Sequence, residues 1–162
     1  MVYSTGVTSF HLAQLNVAHP RAPLDDPSMA GFVDDLEVVN ALADAAPGFV
    51  WRLVGEGTDD ATALRPFGPD LMVNMSVWES VEALRDFAYR DANHLEQLRR
   101  RREWFSHEHL GAHLVLWWIP AGTIPTLDEA GQRLSLLDAQ GPGPDAFTLR
   151  ALYPAPATLP VR

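Results

Sequence analysis

His94 is the residue of this sequence best suited to move a proton. It stands in LMVNMSVWESVEALRDFAYRDANHLEQLRRRREWF, residues 71–105, between an aromatic stretch and an arginine-rich one. An imidazole titrates near neutral pH and serves as general acid, general base or ligand. The same position opens a helix, where His94 would be a first-turn residue hydrogen-bonded near the helix end. Both readings stay open. Arg101, two turns on and near the same helix face, carries the planar fork that grips an oxyanion bidentately. The run Arg99 to Arg102 is otherwise read as a solvated helix face paired with Glu96 and Glu103. Upstream, Asn74 and Ser76 interrupt an apolar strand on the face that also carries Met72 and Trp78. Polar side chains there suggest a cavity that needs hydrogen bonds.

Aromatic residues supply candidate walls for a planar ligand: Trp51, Trp78, Phe87, Trp104, Phe105 and Trp117. The alternative is that they fill the core and a dimer seam. Trp117 and Trp118 point to opposite faces, so at most one lines any one pocket. His107, Glu108, His109 and His113 include an i,i+4 histidine pair, but Gly111 interrupts the segment and His113 belongs on a strand. We read a solvated loop there and expect no metal.

Several chemistries are excluded outright. The chain has no Cys, and all 12 of its basic residues are Arg. Thiol nucleophiles, disulfides and lysine Schiff bases are therefore impossible. There is no GxGxxG, GxxxxGK[ST] or GxSxG string, so the common nucleotide loops and the nucleophile elbow are missing. A formal net charge of −9 disfavours nucleic acid and anionic lipid as partners. No apolar run reaches membrane-span length, and the first residues lack the form of a secretory signal. The expected location is cytoplasmic.

The elements that position these residues follow from periodicity. Length argues for a single domain over 1–162, with a core over about 10–152 and an irregular tail over 153–162. Strands are expected at Phe10–Val17, Phe49–Val54, Leu71–Trp78, Ala112–Ile119 and Ala146–Leu152. Asp26-Pro27 starts a helix with Phe32, Leu36, Val39 and Ala43 inside. Ser80 caps a second, with Leu84, Phe87 and Ala88 inside. Asn93 to Glu96 is a capping box opening a third, from His94 to about Phe105, and Thr126 to Glu129 opens a fourth. The polar stretch Gly55–Asp70 is long enough to be a flap over a site. The order β-α-β-β-α-α-β-α-β contains a ferredoxin-like βαββαβ core with an extra C-terminal helix and strand, an α+β fold. Strands apolar on both faces, Ala112–Ile119 above all, suggest that a second copy covers the bare face of the sheet, as a homodimer.

VNMSVWESVEALRDFAYRDANH resembles the signature of the dimeric α+β barrel proteins, the group of the antibiotic-biosynthesis monooxygenases: a strand ending in Trp, then Glu-Ser, an amphipathic helix and a His. The set WESVEALRDFAYR, HLEQLRRRREWF, LVLWWIPAG and PTLDEAGQRLSLLDAQGPGPDAFTL is similar, more closely, to the bacterial family called domain of unknown function 3291. The resemblance implies the dimeric barrel fold and no settled activity. For the wider superfamily it implies a small-molecule site between sheet and helices. On that basis a hydrophobic, aromatic or polyketide-like substrate is expected, transformed without a cofactor by oxygenation, isomerisation or cyclisation. His94 would move the proton, Asn74 and Ser76 would hold a substrate oxygen, and the Trp side chains would exclude water. In the haem-degrading branch an Asn, a Trp and a helical His form the site, which implies an alternative: haem with His94 as axial ligand, Trp78 matching the Trp and Asn74 on the same strand face. A non-catalytic small-molecule binding module is the third expectation.

Overall fold

The computed structural model describes residues 9–90 and 100–157. The capping box Asn93–Glu96 and His94 itself lie outside the described residues.

Strand β1 (Phe10–Pro20) is the axis of the sheet. It alternates small or apolar residues (Ala13, Leu15, Val17) with polar ones (Gln14, Asn16), and so has two chemically different sides. After it, Asp26 accepts the Ser28 amide at 2.9 Å and opens a 3-10 turn, Pro27–Met29, that leads into α1 (Ala30–Asp44). The expected Asp-Pro start is present, but α-helical geometry begins only at Ala30. Strand β2 (Phe49–Arg52) is shorter than expected, ending before Leu53 and Val54, and its register shifts between Phe49 and Trp51. Leu53 still donates to the Met75 carbonyl at 2.9 Å. Next come β3 (Met72–Trp78) and α2 (Val81–Arg90), with Ser80 Oγ accepting the Ala83 amide at 3.1 Å as a cap. Residues 100–104 are helical and run into β4 (Phe105–Ser106). Strand β5 (Leu114–Pro120) and α3 (Leu127–Gln140) complete the named elements, and Thr126 Oγ1 caps α3 by accepting the Glu129 amide at 3.1 Å.

The sheet is antiparallel and runs β2-β3-β1, with β5 and β4 pairing successive parts of the other side of β1. Counting β5 as the fourth main strand gives the strand arrangement of the ferredoxin-like fold, in which each helix-linked pair of strands encloses a third. The central strand is thus β1, not β5. The far side of β5 is closed by one bridge, in which Leu116 and Phe147 exchange backbone hydrogen bonds of 2.8 and 2.9 Å. The strand expected over Ala146–Leu152 reduces to such isolated bridges. Tight turns, with Gly143 bridging Ala146 and Thr148 bridging Ala151, use the backbone groups a ladder would need.

Cross-strand register sorts the side chains. Ala13, Val77 and Trp117 are aligned, as are Leu15, Met75 and Val115. This closed face packs against α3 through Ala130 and Leu137 and against the 55–70 loop through Leu64 and Phe67. A Cβ on Gly131 would lie 2.8 Å from the Phe67 ring, so glycine in mid-helix lets loop and helix pack closely. The chain itself therefore covers the face that sequence reasoning leaves to a second copy. That argument for a dimer no longer applies. The opposite face carries Leu12, Gln14, Asn16 and Ala18 of β1, aligned with Trp78, Ser76, Asn74 and Met72 of β3. There α2 covers one end, packing Val81 on Leu12, Leu116 and Phe147. The other end holds a cavity.

Candidate functional site

The cavity of about 280 Å³ lies between the second face of the sheet, α1, the 100–104 stretch and the 60–62 part of the long loop. Its size sits at the small end of ligand pockets, roughly 300–1,000 Å³. Phe32, Leu36 and Val39 of α1, the stripe expected to fill a core, instead form one wall. Trp104 and Phe105 form the next, with Phe32 set 5.7 Å from the Trp104 ring and edge-on to Phe105 at 4.9 Å. Gly31 suits this arrangement. A Cβ there would meet the end of the flexible Arg100 side chain at 2.6 Å and the Trp104 ring at 3.0 Å, so a side chain at this position would make Arg100 swing away and Trp104 give by a few tenths of an ångström. The long loop, expected to be a flap, contributes Asp60, Ala61 and Thr62.

The floor is polar. Gln14, 5% exposed, donates from Nε2 to Asn74 Oδ1 at 2.7 Å and to Ser76 Oγ at 2.8 Å. Trp78 Nε1 also donates to Ser76 Oγ, at 2.9 Å. Ser76 is thus engaged within the protein and does not line the cavity. Asn74 does line it. Its carbonyl oxygen is taken by Gln14, and its amide NH₂ makes no hydrogen bond among the described residues.

Arg101 stands at the cavity, which Asp35, Arg52 and Asp60 also line. The residue is exposed to solvent, and desolvation by the protein around it lowers its pKa from the ordinary guanidinium value. It remains a cation. No carboxylate among the described residues pairs with it. Of the acids that line the cavity, Asp35 has a buried Oδ2 that makes no hydrogen bond and lies 3.6 Å from Arg100, an ion-pair distance, and Arg100 in turn lies 4.8 Å over the Trp104 ring. Asp60 Oδ1 accepts the Thr62 amide and hydroxyl at 2.9 and 2.6 Å.

The structure brings together Asn74, Arg101, Trp104 and Phe105 from the expected set. Of the other described residues of that set, it leaves Trp51, Ser76, Trp78, Phe87 and Trp117 off the cavity lining; His94 lies outside the described residues. Trp51 and Trp117 lie on the closed face, where Trp117 is fully buried and donates to Glu129 Oε1 at 3.2 Å. Trp78 is buried beneath α2, stacked on Phe87 at 5.2 Å and edge-on to Phe49 at 5.4 Å, so Trp78 and Phe87 serve packing. Sequence reasoning passed over Asn16, although it breaks the apolar alternation of β1 as Asn74 breaks that of β3. It also set aside His107 and His113 as a solvated loop. Both are exposed, but they stand at the cavity rim with their rings stacked 4.0 Å apart. The turn between them, with His109 at φ 62°, folds the chain back to bring them together. The pKa of His107 is lowered by desolvation first, then by His113, Arg101 and His19. Among the described residues no group of His, Asp and Glu side chains is arranged to hold a metal.

The family model for a domain of unknown function, DUF3291, matches residues 11–161. The chain belongs to that family. Among solved structures it is similar to SnoaB, a cofactor-independent oxygenase from Streptomyces nogalater. Against a point mutant of SnoaB the identity is 16%, the coverage 72% of this chain and 98% of that one, and the TM-score 0.44. A second SnoaB structure gives 16% identity, 74% and 98% coverage and a TM-score of 0.43. A candidate antibiotic biosynthesis monooxygenase from Chloroflexus aurantiacus gives 14% identity, 72% and 98% coverage and a TM-score of 0.43. No curated protein matches the chain. Overlaps this low carry no activity across, since one fold hosts many chemistries. No helix among the described residues is long and apolar enough to cross a membrane.

Proposed function

We propose that this protein binds and transforms a small aromatic molecule bearing an ionisable oxygen, in the cavity between the sheet and α1. The observation that carries this reading is Arg101, a cation with no acidic partner among the described residues, opening into an aromatic-walled cavity. A permanent planar cation at the edge of such a cavity is suited to pair with an anion arriving with the ligand. Asn74 adds an amide N–H donor to the same oxygen, and the Phe32, Trp104 and Phe105 rings offer faces to a planar body.

In this reading the reaction begins with removal of a proton from the substrate, and Arg101 and Asn74 stabilise the resulting oxyanion. His94, placed by the family resemblance between α2 and the 100–104 stretch, takes that proton. A carbanion so formed adds molecular oxygen at carbon, and loss of water from the hydroperoxide leaves a carbonyl. Reprotonation at another carbon gives isomerisation or ring closure instead. Both routes need no cofactor. The haem alternative rests on His94 and gains no support among the described residues, whose cavity histidines stack on each other at the rim. A homodimer belongs to this reading on the resemblance alone, and a single-chain mass by light scattering would remove it.

The test is oxygen consumption and absorbance change with anthrone and with dihydroxynaphthalenes. Turnover by the wild type, reduced by about 10²-fold or more in Arg101→Gln and in His94→Ala, is the expected result. Turnover that ignores both substitutions would overturn the reading.

A further inference from the structure

The chain carries a net charge of −9, yet basic side chains converge at one end of the cavity from separate parts of the fold. His19 comes from the end of β1, Arg101 from the 100–104 stretch, and His107 and His113 from the segments flanking the 109 turn. We propose that the anionic group of the ligand sits between Arg101 and the stacked His107–His113 pair, and that its arrival loads one proton from solvent onto that pair. The inference rests on the proposed function and adds to it the charge of the ligand, an aromatic carboxylate or a comparably strong acid, and a proton linkage.

The geometry carries the argument. Two imidazoles stacked 4.0 Å apart with planes 21° apart repel each other when both are charged, so a proton on one opposes a proton on the other. The neighbouring elements bring both cations and carboxylates to this cavity, and the Asp35 Oδ2 is buried without a hydrogen bond. His19 Nδ1 is hydrogen-bonded to the Asp70 carbonyl at 2.8 Å. Asp138 of α3 accepts the Ala112 amide at 2.9 Å. Asp60 is held by Thr62, and Asp35 faces Arg100. Desolvation first, then His113, Arg101 and His19, make the free His107 resist protonation. An anion seated between them reverses the sign of the local field and makes the protonated pair favourable. Affinity for an anion then rises as pH falls, over the window between the free and ligand-bound pKa values of His107.

Calorimetric titration with 2-naphthoate, set against its neutral counterpart 2-naphthol, tests this. The naphthoate carboxyl titrates near about 4 and stays ionised throughout. Its affinity is expected to rise by up to about tenfold per pH unit as pH falls from about 8 to about 6. The binding enthalpy should vary with the ionisation enthalpy of the buffer, showing proton uptake, and 2-naphthol should show no pH slope. In the His107→Gln, His113→Gln double variant the slope should vanish. The buffer dependence is read on the wild type alone, so the proposal stays testable if that variant does not fold. Naphthoate binding that depends on Arg101 but is flat in pH and releases or takes up no proton would overturn this inference and leave the proposed function standing. A slope that survives in the double variant would also overturn it. Failure of both naphthyl probes to bind up to about 1 mM would sink the two together.

Discussion

The two faces of the sheet use the same strands to opposite ends. On the closed face Ala13, Leu15, Val17, Met75, Val77, Val115 and Trp117 are almost wholly buried by α3 and the long loop. On the cavity face the intervening residues are Gln14, Asn16, Asn74 and Ser76, and the helices do not fill the space above them. A single polar residue in a strand is tolerated if a neighbour satisfies it; aligned polar residues on adjacent strands make a continuous hydrogen-bonding floor. Along that floor the ends differ again. Ser76 is consumed by Gln14 and Trp78 under α2, whereas Asn74 keeps a free donor where α1 stands off. Polar alternation thus marks the face of a site, and the covering helices decide which part stays open.

The comparison can be broken most directly at Trp117. Trp117→Ala should cost about 3–5 kcal/mol in urea unfolding, because it opens a cavity in the closed face. A loss below about 1 kcal/mol would mean that this face is not the main core. Gln14→Leu comes next, at about 1–3 kcal/mol, since it strips the Asn74 carbonyl and one Ser76 contact of their donor. It should also disturb ligand binding through Asn74, which no closed-face substitution of equal cost should do. Thr126→Ala, which removes the cap of the covering helix α3, should lower stability by about 1 kcal/mol and leave the cavity unchanged.

The smallest effect is in pH. Desolvation, with His113, Arg101 and His19, holds the His107 pKa below its ordinary value. The unfolded chain therefore binds more protons than the native one below about pH 6.5. Stability of the ligand-free protein should fall as pH drops through that region, and His107→Gln should flatten the decline. A stability profile steeper in the variant would show that the pair does not carry it.

Local signals were legible in sequence where their chemistry is local. Asp26, Ser80 and Thr126 cap as their types and positions indicate, because a cap needs only residues two or three away. Asn74 was found from its place in an apolar strand, and Asn16 gave the same signal. Trp51 and Trp117 were misplaced as ligand walls because period-two alternation sorts side chains into two sets without saying which set meets the cavity. His107 and His113, six positions apart on either side of a reversed turn, have no periodic signature at all.

By itself the sequence determined the order of the main strands and of the helices Ala30–Asp44, Val81–Arg90 and Leu127–Gln140, the ferredoxin-like class, the absence of thiol and lysine chemistry, and the aromatic and arginine-rich segment 100–105. These depend on residue types and short-range periodicity. Tertiary structure alone decided that β1 is central, that α3 and the long loop cover one face, and that Arg101, Asn74, Phe32 and the histidine pair meet around one cavity. Those facts depend on which surfaces pack against which. Packing joins residues far apart in the chain, and no local pattern encodes that choice.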